Sequence, residues 1–138
     1  MMKTKVFACS ALLLSLSACQ LISPLVIDYN GVRLDVATYI NNSMFFSIAD
    51  RKVLVEYAKQ QQKVLNFDKL TAEQQKQLAY DRAVGRYCAA QRISMKKLNL
   101  VDSQIFSLSE HQKNLDDLYK VQATLNFDMQ KENCQAKF

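Results

Sequence analysis

Two glycines and one proline, at Gly31, Gly85 and Pro24, are all that 138 residues carry. A fold built from strands turns often, and its tight turns draw on Gly, Pro, Asn and Asp. With so few such residues the chain reads as all-α. The apolar spacing agrees. Val32, Val36, Ile40 and Met44 predict a first helix over 32–44. Ser47 with Asp50 three residues on predicts a capping box, and the stripe Leu54, Tyr57, Ala58, Gln61 and Leu65 follows it. Thr71 with Gln74 opens a third helix, with Tyr80, Ala83, Val84, Tyr87 and Cys88 on its apolar face to about Ile93. The stretch 99–106 leaves room for a short helix. Ser107 with Glu110 predicts the cap of the last, whose stripe is Leu108, Leu115, Leu118, Tyr119, Gln122, Leu125 and Met129.

The amino-terminal region sets the compartment. Lys3 and Lys5 precede an apolar run from Val6 to Leu16, which ends in Leu16-Ser17-Ala18-Cys19. A basic start, a short apolar core and small residues before a cut describe a secretory signal peptide. The run is shorter than the roughly 20 residues that span a bilayer. A cysteine after the small residue makes the stretch a lipobox, and it resembles that of bacterial lipoproteins. The resemblance implies lipid on Cys19 and cleavage before it. It also places the protein at the periplasmic face of the outer membrane, since Gln20 stands where an inner-membrane retention signal would have aspartate. The inner membrane is the alternative. Residues 1–18 are then a signal peptide, 19–30 the lipidated cysteine and a short tether, and 31–138 one helical domain. The tether is apolar, with Leu21, Ile22, Leu25, Val26 and Ile27, so it suits a domain held close to the membrane.

Asp28-Tyr29-Asn30-Gly31 before the first helix is similar to a group of uncharacterised helical proteobacterial lipoproteins. That group carries no activity over to this chain. In outline the architecture also resembles pilotins, small helical lipoproteins that bind the tail of a secretin, although no motif of theirs is present.

Charge and cysteine count narrow the function. Loss of Lys3 and Lys5 leaves 16 of the 18 Lys and Arg against 13 Asp and Glu, a modest +3. That balance, in a periplasmic lipoprotein, excludes nucleic acid as a partner. Cys9 leaves with the signal and Cys19 carries lipid, so Cys88 and Cys134 remain; an oxidising compartment favours a disulfide between them, with two buried thiols or a metal site as the alternatives. No cofactor beyond the covalent lipid is expected. The single histidine, His111, leaves too few ligands for a metal site.

The chain also lacks a catalytic constellation. His111, with Glu110, Asp116 and Asp117 nearby, reads as part of a helix's polar surface, and Asp116 and Asp117 point about 100° apart on a helix. The reading is a non-enzyme. Two features suggest binding. Arg82, Arg86, Arg92, Lys96 and Lys97 form a cationic run, either a surface for anionic lipid or an acidic partner, or a plain solvated helix face. Met44, Phe45, Phe46, Phe67, Phe106 and Phe127 are either core at the helix joints or the lining of a groove for a partner helix.

An offset of 60 residues aligns Phe46-Ser47 with Phe106-Ser107, and Leu65-Asn66-Phe67-Asp68 with Leu125-Asn126-Phe127-Asp128. Duplication of a helical hairpin and shared helix grammar both account for it. Two hairpins would pack as a four-helix bundle. The function expected is an accessory or assembly role for an envelope complex. The alternative is an envelope stability protein that binds anionic lipid or cell wall.

Overall fold

A computed structural model describes residues 28, 29 and 31–138. The signal peptide, Cys19 and the tether lie outside the described residues, apart from the tether's last few positions. The fold is all-α, a small helical bundle. Its only strands among the described residues are a two-residue ribbon, β1 (Asp28–Tyr29) against β2 (Val32–Arg33). Gly31 closes the ribbon at φ +80, a left-handed conformation that glycine adopts without steric cost. The ribbon takes Val32 and Arg33 out of the expected first helix, so α1 spans Leu34–Asn42.

Helix α2 (Ile48–Gln61) begins on the predicted cap. The Ser47 side chain accepts from the Asp50 amide at 3.1 Å, and the Asp50 carboxylate accepts from the Ser47 amide at 2.8 Å. The helix continues as a 3-10 segment over Gln62–Lys69, kinked at Asn66. Helix α3 (Ala72–Ala90) starts on the second predicted box, Thr71 with Gln74. Most of the stretch 99–106 belongs to a full helix, α4 (Met95–Ile105), so the described residues form five α-helices rather than four.

Helix α5 (Ser109–Gln122) departs from expectation. Leu108 is its N-cap, no side chain caps it, and the Ser107 box does not form. The aligned tetrapeptides also differ, since residues 65–68 lie in the 3-10 segment and residues 125–128 are irregular. The two halves therefore share letters but not conformation there. A capping interaction contributes about 1 kcal/mol. Ser47→Ala should accordingly lower stability by about that amount and Ser107→Ala by almost none, as read from urea unfolding midpoints.

The core gathers around α2. Leu54, Tyr57 and Ala58 meet Val36, Ala37 and Ile40 of α1 and Leu98, Val101 and Ile105 of α4, all buried. Phe46, Phe67 and Phe106 are core residues at the joints, and Phe46 meets Tyr39 edge-on at 5.8 Å. Helix α5 packs on α3 and on the 3-10 segment. There the Asn114 amide donates to the Leu65 carbonyl at 2.9 Å, which satisfies a backbone group freed by the break in α2.

Cys88 and Cys134 are joined. Their Cα atoms lie 5.0 Å apart, and the bridge ties α3 to the carboxyl-terminal tail. The tail is held further by Phe127 stacked on Tyr80 at 5.5 Å and by a hydrogen bond from the Tyr80 hydroxyl to Glu132.

Candidate functional site

The cationic run is not one surface. Arg82 and Arg86 share a face of α3, as their spacing requires, but that face looks inward. Arg82 is 1 % exposed. Its guanidinium lies 5.0 Å over the Tyr119 ring, donates to the Tyr119 hydroxyl at 3.3 Å and stands 3.7 Å from the Asp102 carboxylate. Arg86 reaches the same carboxylate, and also donates to the Tyr57 hydroxyl at 2.6 Å and to the Asn99 side chain. The Tyr57 hydroxyl in turn donates to Asp102 at 2.9 Å.

Two cations, one anion and two phenols thus fill a seam between α2, α3, α4 and α5. Burial pushes the Asp102 carboxyl above the ordinary carboxylate range, with Arg82 and Arg86 pulling against it. Burial and the adjacent carboxylate raise the Tyr57 hydroxyl well above its usual value, so it remains a donor. A buried guanidinium needs a counter-charge far more than it can attract a distant one. Arg82 and Arg86 are therefore internal ties and not a lipid-facing patch.

The rest of the run divides as well. Lys97 pairs with Asp50 at 2.5 Å, which extends the α2 capping box to α4 and holds the Asp50 carboxyl below its ordinary range. Arg92 and Lys96 alone remain exposed and without an ion pair among the described residues. The run was legible as charge, but its direction was not. The missed signal is Asp102, which sits at the spacing of Leu98, Val101 and Ile105, an acid inside an apolar stripe.

His111 is also inside, at 2 % exposure, contrary to the surface position expected. It stands seven residues before Leu118 and four before Leu115, the unfilled position of the α5 stripe. Burial, helped by the Arg33 charge, lowers its pKa, so the ring is neutral at pH 7. Glu110 lies 3.7 Å from its Nε2, and no hydroxyl or thiol bonds it among the described residues. Arg33 is buried too and pairs with Asp35 at 2.5 Å while donating to the Ile105 carbonyl at 3.1 Å. Against the push of burial, it holds the Asp35 carboxyl below the usual range. Among the described residues, no group of three or more His, Cys, Asp or Glu is placed to hold a metal ion, and no helix is long and apolar enough to cross a membrane.

The surface feature with the clearest physical cost is apolar. Between α1 and α2, Met44 is 98 % exposed, Phe45 69 % and Ile48 77 %. Phe46, in the middle of them, turns into the core, so the corner splits the aromatic cluster of the sequence into an inner anchor and an outer knob. Behind the knob runs an open groove. Ile48, Ala49, Val53 and the carboxyl-terminal Phe138 line it together with the charged Asp50, Lys52, Glu56 and Arg92. Three large apolar side chains within five residues, next to an apolar groove, are more than the scattered singles a surface tolerates.

The ribbon is at the other end of α2. The Arg33 amide donates to the Gln62 side chain at 3.1 Å, and Gly31 abuts the Lys59 side chain. The chain therefore enters the domain at one end of the α1–α2 pair, and the apolar knob closes the other. No family model, no curated protein and no solved structure matches the chain.

Proposed function

We propose that this protein is a lipid-anchored accessory factor of an envelope complex, which works by binding another protein through the Met44-Phe45-Ile48 knob and not by catalysis. The exposed apolar corner carries this reading. Water contact with a Phe and two long aliphatic side chains costs about 1.5–3 kcal/mol each relative to burial, and a partner that covers them recovers that free energy. The position of the corner favours a protein over the bilayer as the covering surface. An anchor at Cys19 leaves nine residues before Asp28, at most about 30 Å of chain. A tether this short keeps the ribbon end close to the membrane, while the knob lies at the far end of α2. The groove beside the knob offers apolar contact from Ile48, Val53 and Phe138 and charge from Asp50, Lys52, Glu56 and Arg92, a mixture that suits an amphipathic helix.

Phe45→Asp should leave the melting temperature within about 2 °C, since Phe45 contributes little to the core. The same substitution should abolish partner capture. A photo-crosslinking residue at position 45 of the full-length protein, expressed in its own host, should give one discrete protein adduct. The same residue at exposed Lys120 should not. Equal adducts at both positions, or none at 45, reject the reading. The anchor has its own test, because mass spectrometry of the processed amino terminus should find fatty acid on Cys19.

A further inference from the structure

We propose that the cleft between the ribbon, the carboxyl-terminal end of α2, the 3-10 segment and the first turn of α5 binds a phosphate group, with Lys63, Lys69, His111 and the open amides of α5 as its ligands. Four observations meet there. The cleft measures about 820 Å³, a size that suits a small polar ligand or a lipid headgroup.

Its charges do not cancel. The Arg33 charge is answered by Asp35, and that of Lys59 by Glu56 at 2.8 Å. Lys69 meets only the neutral Asn66 side chain at 3.0 Å, and Lys63 has no ion pair among the described residues. Against these two cations the cleft offers Glu110, which is itself largely in solvent.

The amino terminus of α5 forms one wall through Glu110 and His111. The amides of its first turn have no intrahelical partner, no side chain among the described residues caps this 14-residue helix, and the helix dipole adds positive potential at the same place. The fourth observation is His111. It lines the cleft, it is almost wholly buried, and among the described residues its Nδ1 has no hydrogen-bond partner. A buried polar nitrogen left unpaired is costly unless something completes it. Backbone amides at a helix start, two lysines and an imidazole supply a converging set of donors and positive charge, the chemistry that holds a tetrahedral oxyanion.

Nothing in this inference depends on the lipid at Cys19 or on the apolar knob, so it stands or falls apart from the proposed function. The phosphate could belong to an anionic lipid headgroup or to a soluble species. The test uses the full chain, labelled with nitrogen-15, with the Glu110 and His111 amides as reporters. One arm titrates inorganic phosphate against sodium chloride of equal ionic strength, in nonionic detergent. The other compares nanodiscs of phosphatidylcholine alone with nanodiscs that contain phosphatidylglycerol.

Saturable shifts with inorganic phosphate support the site and show that free phosphate suffices. Shifts only with phosphatidylglycerol support it and assign the headgroup. Unmoved amides in both arms overturn it. Lys63→Gln combined with Lys69→Gln, both exposed and outside the core, should weaken binding at least about tenfold while the melting temperature stays put. Binding by that variant as tight as wild type also overturns the assignment.

Discussion

Asp102→Asn should cost about 3–5 kcal/mol, against a total stability of roughly 5–15 kcal/mol for a domain this size. The reason is the direction of the loss. Asn keeps the shape and can still accept from the Tyr57 hydroxyl, so packing and that hydrogen bond survive. What goes is, among the described residues, the one carboxylate that faces both guanidiniums. Arg86 is partly exposed and can turn to water. Arg82 cannot, because it is 1 % exposed, its Nε has no partner among the described residues, and its other contacts are the ring and hydroxyl of Tyr119. Its charge would stay buried and unanswered.

In thermal unfolding the melting temperature should fall by roughly 12–25 °C. Arg82→Met, which leaves Asp102 paired with Arg86, should cost less, and adding it to Asp102→Asn should restore part of the loss. A coupling energy of about 1 kcal/mol or more in that cycle is the signature of an unpaired buried charge. An Asp102→Asn variant that melts within two or three degrees of wild type would show that the carboxylate is not what keeps Arg82 inside.

The seam also marks where sequence reasoning stopped. Helix starts at Ser47 and Thr71 were legible because a capping box is local, spanning four residues whose identities suffice. The helical class followed from turn residues that the chain lacks, and the Cys88–Cys134 pairing from a count. Each of these needs no knowledge of what lies across the core.

Arg82 and Arg86 were read as surface because a cation is usually solvated, and only a partner remote in sequence reverses that. Asp102 lies 20 residues from Arg82, on a helix whose start no capping box marks. His111 failed for the same reason, since Glu110 and two aspartates beside it made its face look polar, while its register with Leu118 placed it inward. The Ser107 box is the opposite case. The letters were right, but the chain leaving buried Phe106 reaches helical geometry one residue late, so Leu108 takes the cap position. That late start leaves the α5 amides open towards the cleft, a property no local pattern announces.

Removal of the bridge is the second large effect. Cys134→Ser should lower the melting temperature by on the order of 10–20 °C. The 46-residue separation sets the size, because a closed loop of that length removes about 4 kcal/mol worth of unfolded-state freedom in the chain-entropy model. The native state loses something too. Beyond α5 the tail is held by the Tyr80–Phe127 stack, the Tyr80–Glu132 hydrogen bond and the half-buried Phe138, none of them deep in the core. Without Cys134 these contacts must order some sixteen residues by themselves, at about 1 kcal/mol or more of backbone entropy for each residue fixed. The tail should therefore fray, and the groove beside Ile48 should lose its Phe138 wall. Reductant provides the control. It should lower the wild-type melting temperature to that of Cys134→Ser and leave the variant unchanged, and a non-reduced digest should yield the Cys88 and Cys134 peptides as one linked species. Wild-type protein that melts at the same temperature with and without reductant would mean that the tail is held by its side chains alone and that the two sulfurs are not bonded in solution.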